Sequence, residues 1–235
     1  MSKGTGQPRN CLLRSLSVQE YRRLLPFAET VSLARGDVLF EAGDRITDFY
    51  FLDSGMASLL STTEDGATIE VGMVGYEGFV GTTLLLKRDR MPYRSMMQIA
   101  GQATKIKAEP VLDQFDTNVR LRNLVLRYIH LVLTQVSQSA VCNRYHTLEE
   151  RLCRWLMISR DIIDSDEIPL TQELLSQMLG VARTGVTMAA GALQQSGLIR
   201  YRHGHITISD REGLADASCE CYRIVKQEFA QFIES

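Results

Sequence analysis

The chain has 235 residues, a formal net charge of −2 and 45% apolar residues. This length and composition allow one large or two modest domains with real hydrophobic cores. Because the chain is slightly acidic overall, any nucleic-acid contact must come from a local basic patch rather than from total charge.

The first residues and the cysteines indicate the compartment. The first ten residues, MSKGTGQPRN, have no apolar segment, which predicts a disordered start and no signal peptide. The uncharged stretch over 128–143 is too short and too polar to span a bilayer. Five scattered cysteines are an odd number, which is typical of a reducing compartment and not of a disulfide framework. We therefore expect a cytoplasmic protein without a membrane segment.

The N-terminal half is predicted to be mainly β-structure. Ser17 and Glu20 have the spacing of a capping box, which predicts a short helix that ends at Pro26. From about 31 to 110, glycines alternate with short β-prone runs such as DFYFL and TIEVGMV. This pattern predicts an antiparallel barrel or sandwich, and TEDGAT is typical of a hairpin turn within it.

A long helix follows, with two apolar faces. One face repeats at intervals of three and four residues over about two heptads, through Leu126, Ile129, Leu133, Val136 and Ala140. The second face contains Leu121, Val125, Tyr128 and Val132. A helix that is apolar on two sides is buried on two sides. We expect one face to pack on the β-domain and the other on a second subunit, while a central helix of a monomer remains the alternative.

The C-terminal region is predicted to be a helix-turn-helix followed by a hairpin. Thr147 and Glu150 form a second capping box before an amphipathic helix. In the segment TQELLSQMLGVARTGVTMAAGALQQSGLI, Gly180 separates two short helices, as a C-terminal helix cap does. The second helix is expected to bury Val186, Ala189, Ala190 and Leu193. The segment IRYRHGHITISD alternates around His203 and Gly204, which predicts a β-hairpin.

The exposed face of the second helix indicates DNA binding. Arg183, Thr184, Thr187 and Met188 share this face, and 181–205 contains three arginines and no acidic residue. In a winged helix-turn-helix, such side chains read base edges in the major groove. Arg200, Arg202 and His203 in the wing are expected to contact phosphates.

Taken together, these regions resemble the Crp/Fnr family of bacterial transcription regulators over nearly the whole length of the chain. The glycine-rich β-region, long helix and winged helix carry the likeness, together with GFVGTTLLL and Arg94-Ser95, which resemble the family's phosphate-binding cassette. The resemblance implies an α+β chain in three parts. These are a β-roll sensor over 1–115, which is a cyclic-nucleotide-binding-like jelly roll, a dimerisation helix over 116–143 and a winged helix-turn-helix over 144–235.

The resemblance also implies partners and an effector pocket. The partners are double-stranded DNA with a palindromic site, a second copy of the chain and, for an activator, RNA polymerase. The pocket would contain Gly81, Thr82, Thr83, Arg94, Ser95 and Ser137. Thr82 stands where cyclic-AMP-binding members have an acidic residue, and Met96 replaces a small one. A threonine lacks the strength of a carboxylate as an acceptor. We therefore expect no control by cyclic AMP, and the effector itself is not identified.

The sequence gives only weak evidence for metal, cofactor or catalytic sites. Only Cys11 lies near the N-terminus, which argues against an iron–sulfur cluster there. Cys219 and Cys221 have no second pair with ligand spacing, so the sequence predicts no metal site and no cofactor. His130 is expected at an interface rather than on haem. No nucleophile elbow or phosphate-binding loop argues for an enzyme.

Two alternatives stay open beside the DNA-binding regulator. One is a ligand-binding sensor that regulates a partner protein, with the winged helix used only for contacts. The other is a cyclic-nucleotide-controlled regulator, which needs a carboxylate where Thr82 stands.

Overall fold

The computed structural model describes residues 8–234, which form two compact units. The first unit contains the described residues up to Ala57 together with Val74–Ile129. The second contains Ser58–Met73 together with the described residues from His130 onward. The fold class is α+β, with antiparallel sheets first, then a long helix and a C-terminal helix-turn-helix region.

The helices of the first unit are α1 (Cys11–Arg14), α2 (Val18–Leu24), a 3₁₀ turn (Leu25–Phe27), α3 (Thr82–Leu85) and α4 (Ala108–Thr117). Its strands are β1 (Ala28–Leu33), β2 (Val38–Phe40), β3 (Asp48–Leu52), β6 (Phe79–Val80), β7 (Arg94–Ile99) and β8 (Gly101–Lys107). Strands β4 (Met56–Thr62) and β5 (Thr68–Val74) form the expected hairpin around Gly66. Most of this hairpin belongs to the second unit.

Two four-stranded sheets make up the roll. Their strand orders are β1-β8-β3-β6 and β2-β7-β4-β5. β8 is a central strand of the first sheet, since Ile106 pairs with both Ala28 of β1 and Phe49 of β3 in antiparallel register. The predicted antiparallel β-architecture is therefore confirmed.

Aromatic side chains form the core of the first unit. Phe49, Phe51 and Phe79 contact one another with ring centroids 5.1–6.4 Å apart, and Tyr128 lies 5.1 Å from Phe79. The Tyr128 hydroxyl donates to the Phe79 carbonyl at 3.2 Å. A Cβ on Gly78 would lie 2.1 Å from the Tyr128 ring, so only glycine fits there. Leu121 and Val125 of the same predicted face are buried as well, whereas Val132 is half-buried.

The start of the chain differs from the expectation of disorder over residues 1–10. Residues 1–7 lie outside the described residues, but Asn10 is fully buried. Its side-chain amide donates to the carbonyls of Leu52 and Gly78 at 2.9 and 2.7 Å, and its oxygen caps α1. The prediction was wrong at Asn10, because its partners are far away in sequence and local composition does not show them.

The long helix α5 spans Val119–Tyr145, slightly later than the expected 116–143. Asn118 explains the later start. It adopts an extended conformation after α4, and its side-chain oxygen accepts from the Leu121 amide at 3.1 Å. An asparagine in this position caps a new helix rather than continuing the previous one.

The second unit contains a three-stranded sheet and several helices. In chain order these are α6 (Leu148–Ile163), β9 (Glu167–Pro169), α7 (Gln172–Leu179), α8 (Arg183–Gln195), β10 (Ile199–Arg202), β11 (His205–Ile208), α9 (Arg211–Asp216) and α10 (Glu220–Ile233). The sheet order is β10-β11-β9. The capping box of Thr147 and Glu150 is present at the start of α6. In the described chain, no helix combines the length and the apolar character that crossing a bilayer requires.

The β4–β5 hairpin carries a buried carboxyl group into the second unit. Glu70 accepts hydrogen bonds from the Trp155 indole at 2.7 Å and from the Ser58 hydroxyl. Burial raises the pKa of Glu70 to about 7, although these two hydrogen bonds act in the opposite direction. Glu70 therefore gains or loses a proton near neutral pH. Its carboxyl group is buried and hydrogen-bonded to the Trp155 indole.

Candidate functional site

The predicted helix-turn-helix is formed by α7, a tight turn and α8. The Thr171 hydroxyl caps α7, and Gly180 ends it with a left-handed φ of 62°. A Cβ on Gly180 would also lie 2.8 Å from Ile69. The backbone conformation therefore favours glycine at this turn, and for a larger residue the end of the Ile69 side chain would have to shift.

The two faces of α8 agree with the sequence prediction. Val186, Ala189, Ala190 and Leu193 are buried. Arg183, Thr184, Thr187 and Met188 are exposed, and 75% of Met188 is accessible. The structure therefore presents the four predicted base-reading residues on one free surface. On α7, Leu175, Met178 and Leu179 are buried, while Leu174 is only half-buried.

The first turn of α8 is open to an anionic partner. Its N-cap residue is Ala182, which provides no side-chain hydrogen bond to the first amides. Uncapped amides and the helix dipole both favour a negative group at a helix N-terminus. The Arg183 guanidinium forms no salt bridge with any residue that the structure describes.

A groove of about 350 Å³ lies beside this turn and joins α8 to the wing. It is lined by Thr171, Gln172, Arg183, Tyr201, His203 and Gly204. The Thr187 hydroxyl lies 3.1 Å from the Gln172 side-chain oxygen and donates to the Arg183 carbonyl at 3.0 Å. The hydroxyl of Thr187, one of the predicted reading residues, therefore lies beside the Gln172 side chain of the groove.

The wing is the predicted hairpin of β10 and β11. His203 and Gly204 both have positive φ, 50° and 76°, as a tight hairpin turn of this twist requires. Arg200 and Arg202 are exposed, but they do not line the groove, whereas His203 does. The structure thus brings His203 to Arg183 and leaves the two wing arginines on the outer surface.

Sequence reasoning missed Tyr201, Gln172 and Thr171 in this groove. Tyr201 sits between two arginines in a strand, so it points to the opposite side from them. Its backbone amide donates to the Gln194 side-chain oxygen at 2.9 Å, which ties the wing to α8. The alternation of the strand is the signal that could have identified Tyr201.

The predicted effector residues lie around α3 and the start of β7. Gly81 precedes α3 with a φ of 117°, Thr82 is buried and Thr83 contacts the Met91 sulfur at 3.8 Å. Ser95 is fully buried, and its hydroxyl has no hydrogen-bond partner in the part of the chain described. Ser137 lies on α5 in the other unit and is exposed.

Arg94 has an acidic neighbour that the sequence did not indicate. Its guanidinium Nε lies 3.4 Å from the Glu41 carboxylate, and 42% of its side chain is exposed. Glu41 follows β2, which pairs with β7 across the sheet, so this contact depends on long-range strand pairing. An incoming phosphate would have to compete with Glu41 for Arg94.

The predicted dimer face of α5 is partly exposed and partly buried. Leu126 and Leu133 are 48% and 60% exposed, and Ala140 is exposed as well. Ile129 is buried and Val136 is half-buried within the chain itself. Val119, which is 63% exposed, extends the row at the same seven-residue spacing as Leu126, Leu133 and Ala140. His130 is exposed beside this row and lies 3.4 Å from Glu228 of α10.

Two family models match the chain in regions that agree with this structure. The cyclic nucleotide-binding domain matches residues 30–118, and the Crp-like helix-turn-helix domain matches residues 150–217. The first covers the β-roll and the second covers α7, α8 and the wing. Comparison with curated protein sequences gives no significant match.

Several solved structures share the fold. FixK2 from Bradyrhizobium japonicum is 14% identical with a TM-score of 0.71, and the match covers 82% of this chain and 98% of FixK2. A Crp-family transcriptional regulator from Thermus thermophilus is 18% identical with a TM-score of 0.68, covering 80% and 96%. The c-di-GMP responsive global regulator CLP from Xanthomonas campestris is 16% identical with a TM-score of 0.63, covering 83% and 100%.

The sensor-type β-roll, the long helix and the winged helix-turn-helix occur here in the order that the family combines them. The protein is a DNA-binding transcription regulator, and the chain belongs to the Crp/Fnr family.

Proposed function

We propose that the protein reads a palindromic DNA site as a homodimer, without control by cyclic AMP. The observation that carries the DNA-reading part is the exposed, acid-free face of α8, where Arg183 at the first turn has no salt-bridge partner among the described residues. In this position Arg183 can donate two hydrogen bonds to a guanine edge, while Thr184 and Thr187 contact a phosphate or a thymine methyl. Met188 provides an apolar contact on the same face.

The backbone contacts are assigned to the wing. Arg200, Arg202 and His203 are exposed on β10 and its turn, with no acidic residue between 181 and 205. Contacts to phosphates position the protein but carry little sequence information. Arg183 and the wing arginines therefore have different roles, one in specificity and the other in affinity.

The homodimer is supported by the exposed apolar row on α5. Val119, Leu126, Leu133 and Ala140 are spaced by seven residues and remain accessible in the single chain. A sustained seven-residue repeat is typical of helices that pair along a seam. We assign the seam to this row, with Ile129 and Val136 at its border. Two copies would present two α8 helices to the two halves of a palindrome.

We propose that the β-roll keeps an effector pocket made by Gly81, Thr82, Thr83, Arg94 and Ser95. The hydroxyl of buried Ser95, which has no partner among the described residues, supports a polar ligand, because buried polar groups are normally hydrogen-bonded. Cyclic AMP is disfavoured, since Thr82 replaces the expected carboxylate and Glu41 already pairs with Arg94. The functional division is the same as in the sequence prediction, with a sensor, a dimerisation helix and a DNA-binding domain.

Selection of bound sequences from random DNA tests the main proposal, with and without candidate nucleotides. We expect a palindrome to be enriched in both conditions. Titration across salt should then show steep weakening, because phosphate contacts release counterions. Enrichment without two-fold symmetry would contradict the dimer, and an absolute need for cyclic AMP would contradict the sensor proposal.

A location in the cytoplasm, contact with RNA polymerase in the case of an activator and the absence of a catalytic activity belong to the same proposal. The DNA target supports the first two, and the free cysteines support a reducing compartment.

A further inference from the structure

Four side chains of the types that bind metal ions lie close together in the second unit. Cys142 and His146 lie one turn apart at the end of α5, while Cys219 and Cys221 lie at the start of α10. All four ligand atoms are within 4.8 Å of one another. The three cysteines are buried, and the His146 side chain is only 12% exposed. Cys142 and Cys219 are 77 residues apart in sequence, so this group forms only in the fold and sequence spacing did not indicate it.

We propose that these four side chains form a structural zinc site of the three-cysteine, one-histidine type. In tetrahedral zinc sites the metal–sulfur distance of about 2.3 Å places ligand atoms about 3.8 Å apart. Here the Cys142 and Cys219 sulfurs are 3.5 Å apart, and the Cys221 sulfur is 3.7 Å from His146 Nδ1. Two of the six distances between ligand atoms are therefore close to tetrahedral spacing, and all six are within 4.8 Å.

The outer contacts also fit a metal site. His146 turns Nδ1 towards the sulfurs, while its Nε2 lies 3.2 Å from the Glu220 carboxylate. A carboxylate in this position holds the proton on Nε2 and leaves Nδ1 free to bind a metal. The histidine is thus oriented as a ligand by a residue that is not itself a ligand.

A buried arginine complements the charge of the site. Three thiolates and a neutral imidazole around a divalent cation carry a net charge of −1. The Arg154 side chain is 5% exposed and forms no salt bridge within the described residues, and its charge acts on both Cys142 and Cys221. A buried cation normally has an anionic partner. Glu70 is one such partner, since the charge of Arg154 also acts on it, and the metal-bound thiolates would be a second.

A disulfide is a weaker explanation for this geometry. A Cys142–Cys219 bond would use two thiols and would not explain why the Cys221 sulfur lies close to His146 Nδ1. Zinc uses all four groups and is not redox-active, which suits a reducing compartment. Bound zinc would tie α10 to the end of α5 in addition to the pair of Glu228 with His130. We therefore assign the site a stabilising role in the DNA-binding unit.

Metal analysis of the full chain, purified under reducing conditions and incubated with zinc sulfate, tests the site. We expect one tightly held zinc ion per chain and loss of that zinc in Cys221→Ser and His146→Asn. Cys11→Ser and Cys153→Ser are matched controls, since both residues are buried cysteines outside the cluster. They are expected to keep the zinc.

Two further measurements keep the test independent of folding. Cobalt substitution should give the absorption of a tetrahedral, thiolate-bound ion, which a merely structural group of cysteines does not give. Glu220→Gln removes an exposed carboxylate and is expected to weaken zinc retention by about 10–100-fold with an unchanged circular dichroism spectrum. Full-length protein that folds but retains no zinc, or that has a Cys142–Cys219 disulfide under reducing conditions, would overturn the proposal.

Discussion

Arg183 and Arg94 occupy comparable places in the two units, each at the edge of a proposed binding surface, but their surroundings differ. Arg183 pairs with no acidic residue in the described chain, and the amides of its helix turn are uncapped. Arg94 lies 3.4 Å from Glu41. A phosphate can approach Arg183 directly, whereas at Arg94 it meets the charge of the Glu41 carboxylate beside Nε. The same side chain therefore indicates an anion site in one unit and a partly satisfied ion pair in the other.

The difference shows that nearby acidic residues decide whether an arginine is available to an anion. The surroundings of Arg183 are set by its neighbours in sequence, and those of Arg94 by a residue far away in sequence. On α8 the absence of acids is a property of one continuous segment. At Arg94 the acid comes from another strand. Substitutions at the dimer row, the two arginines and the buried carboxyl groups test whether this contrast holds, from the largest expected effect to the smallest.

Loss of the second half-site should have the largest effect on DNA binding. Leu133 is 60% exposed in the middle of the apolar row on α5. We expect Leu133→Glu to produce monomers, because two buried charges would face each other across the seam. Affinity for a palindrome should fall by about 100-fold or more as the bivalent contact is lost. Analytical ultracentrifugation and fluorescence anisotropy measure the two effects.

Val18→Glu is the matched control for this change, since Val18 is 64% exposed on α2 and lies outside the row. It should remain dimeric and bind DNA like the parent protein. A parent protein that is monomeric at micromolar concentration, yet binds the palindrome tightly, would contradict the proposed dimer. It would not contradict the proposal that Arg183 contacts a base.

The contrast also explains how much the sequence could predict. The faces of α8, the Gly180 turn and the wing follow from short-range periodicity, and each agrees with the structure. The partners of Arg94 and Asn10, and the meeting of Cys142 with Cys219, depend on segments that are dozens of residues apart. Periodicity also assigned Ile129 to the dimer face, whereas it is buried within the chain. Spacing alone does not reveal that a residue at the border of an apolar row packs within its own chain.

The second prediction separates specificity from general affinity. Arg183→Ala should cost roughly 1–3 kcal/mol on the selected DNA and relax the preference at one guanine. Arg202→Ala should weaken specific and random DNA alike, because a wing arginine contacts phosphates. Competition binding against both DNAs at several salt concentrations provides the measurement. Equal losses on both DNAs for Arg183→Ala would show that Arg183 contacts only the backbone.

The third prediction concerns pH and the buried carboxyl group of the second unit. Burial raises the pKa of Glu70 from its ordinary value of 4.5 to about 7. A group whose pKa is raised on folding stabilises the folded state at low pH, and this contribution is lost as the pH rises through about 7. The free energy of unfolding should therefore decrease between pH 5 and pH 8 by roughly 1–3 kcal/mol less in Glu70→Gln than in the parent protein.

Thermal unfolding as a function of pH measures this effect. Glu64→Gln is the control, because Glu64 is exposed in the turn of the same hairpin. Glu77 in the first unit has a pKa that burial raises to about 7 as well, so some pH dependence should remain in the Glu70 variant. An unchanged slope in Glu70→Gln would show that Glu70 is not the group that titrates in the second unit.

The smallest expected effect is that of cyclic AMP on the parent protein, for which we expect no saturable binding in the low micromolar range. Thr82 cannot replace a carboxylate, and a lost charge-assisted hydrogen bond costs roughly 1.5–3 kcal/mol, or about one to two orders of magnitude in affinity. Met96 is half-buried two residues beyond Arg94, and Glu41 already pairs with Arg94. Glu41→Ala frees the guanidinium, and adding Thr82→Glu supplies the missing acceptor. If the contrast between Arg94 and Arg183 is real, calorimetry should detect stronger cyclic-AMP binding by this double variant than by either single variant. Saturable binding by the parent, accompanied by tighter DNA binding, would show that Arg94 and Ser95 suffice and that the ion pair with Glu41 opens readily.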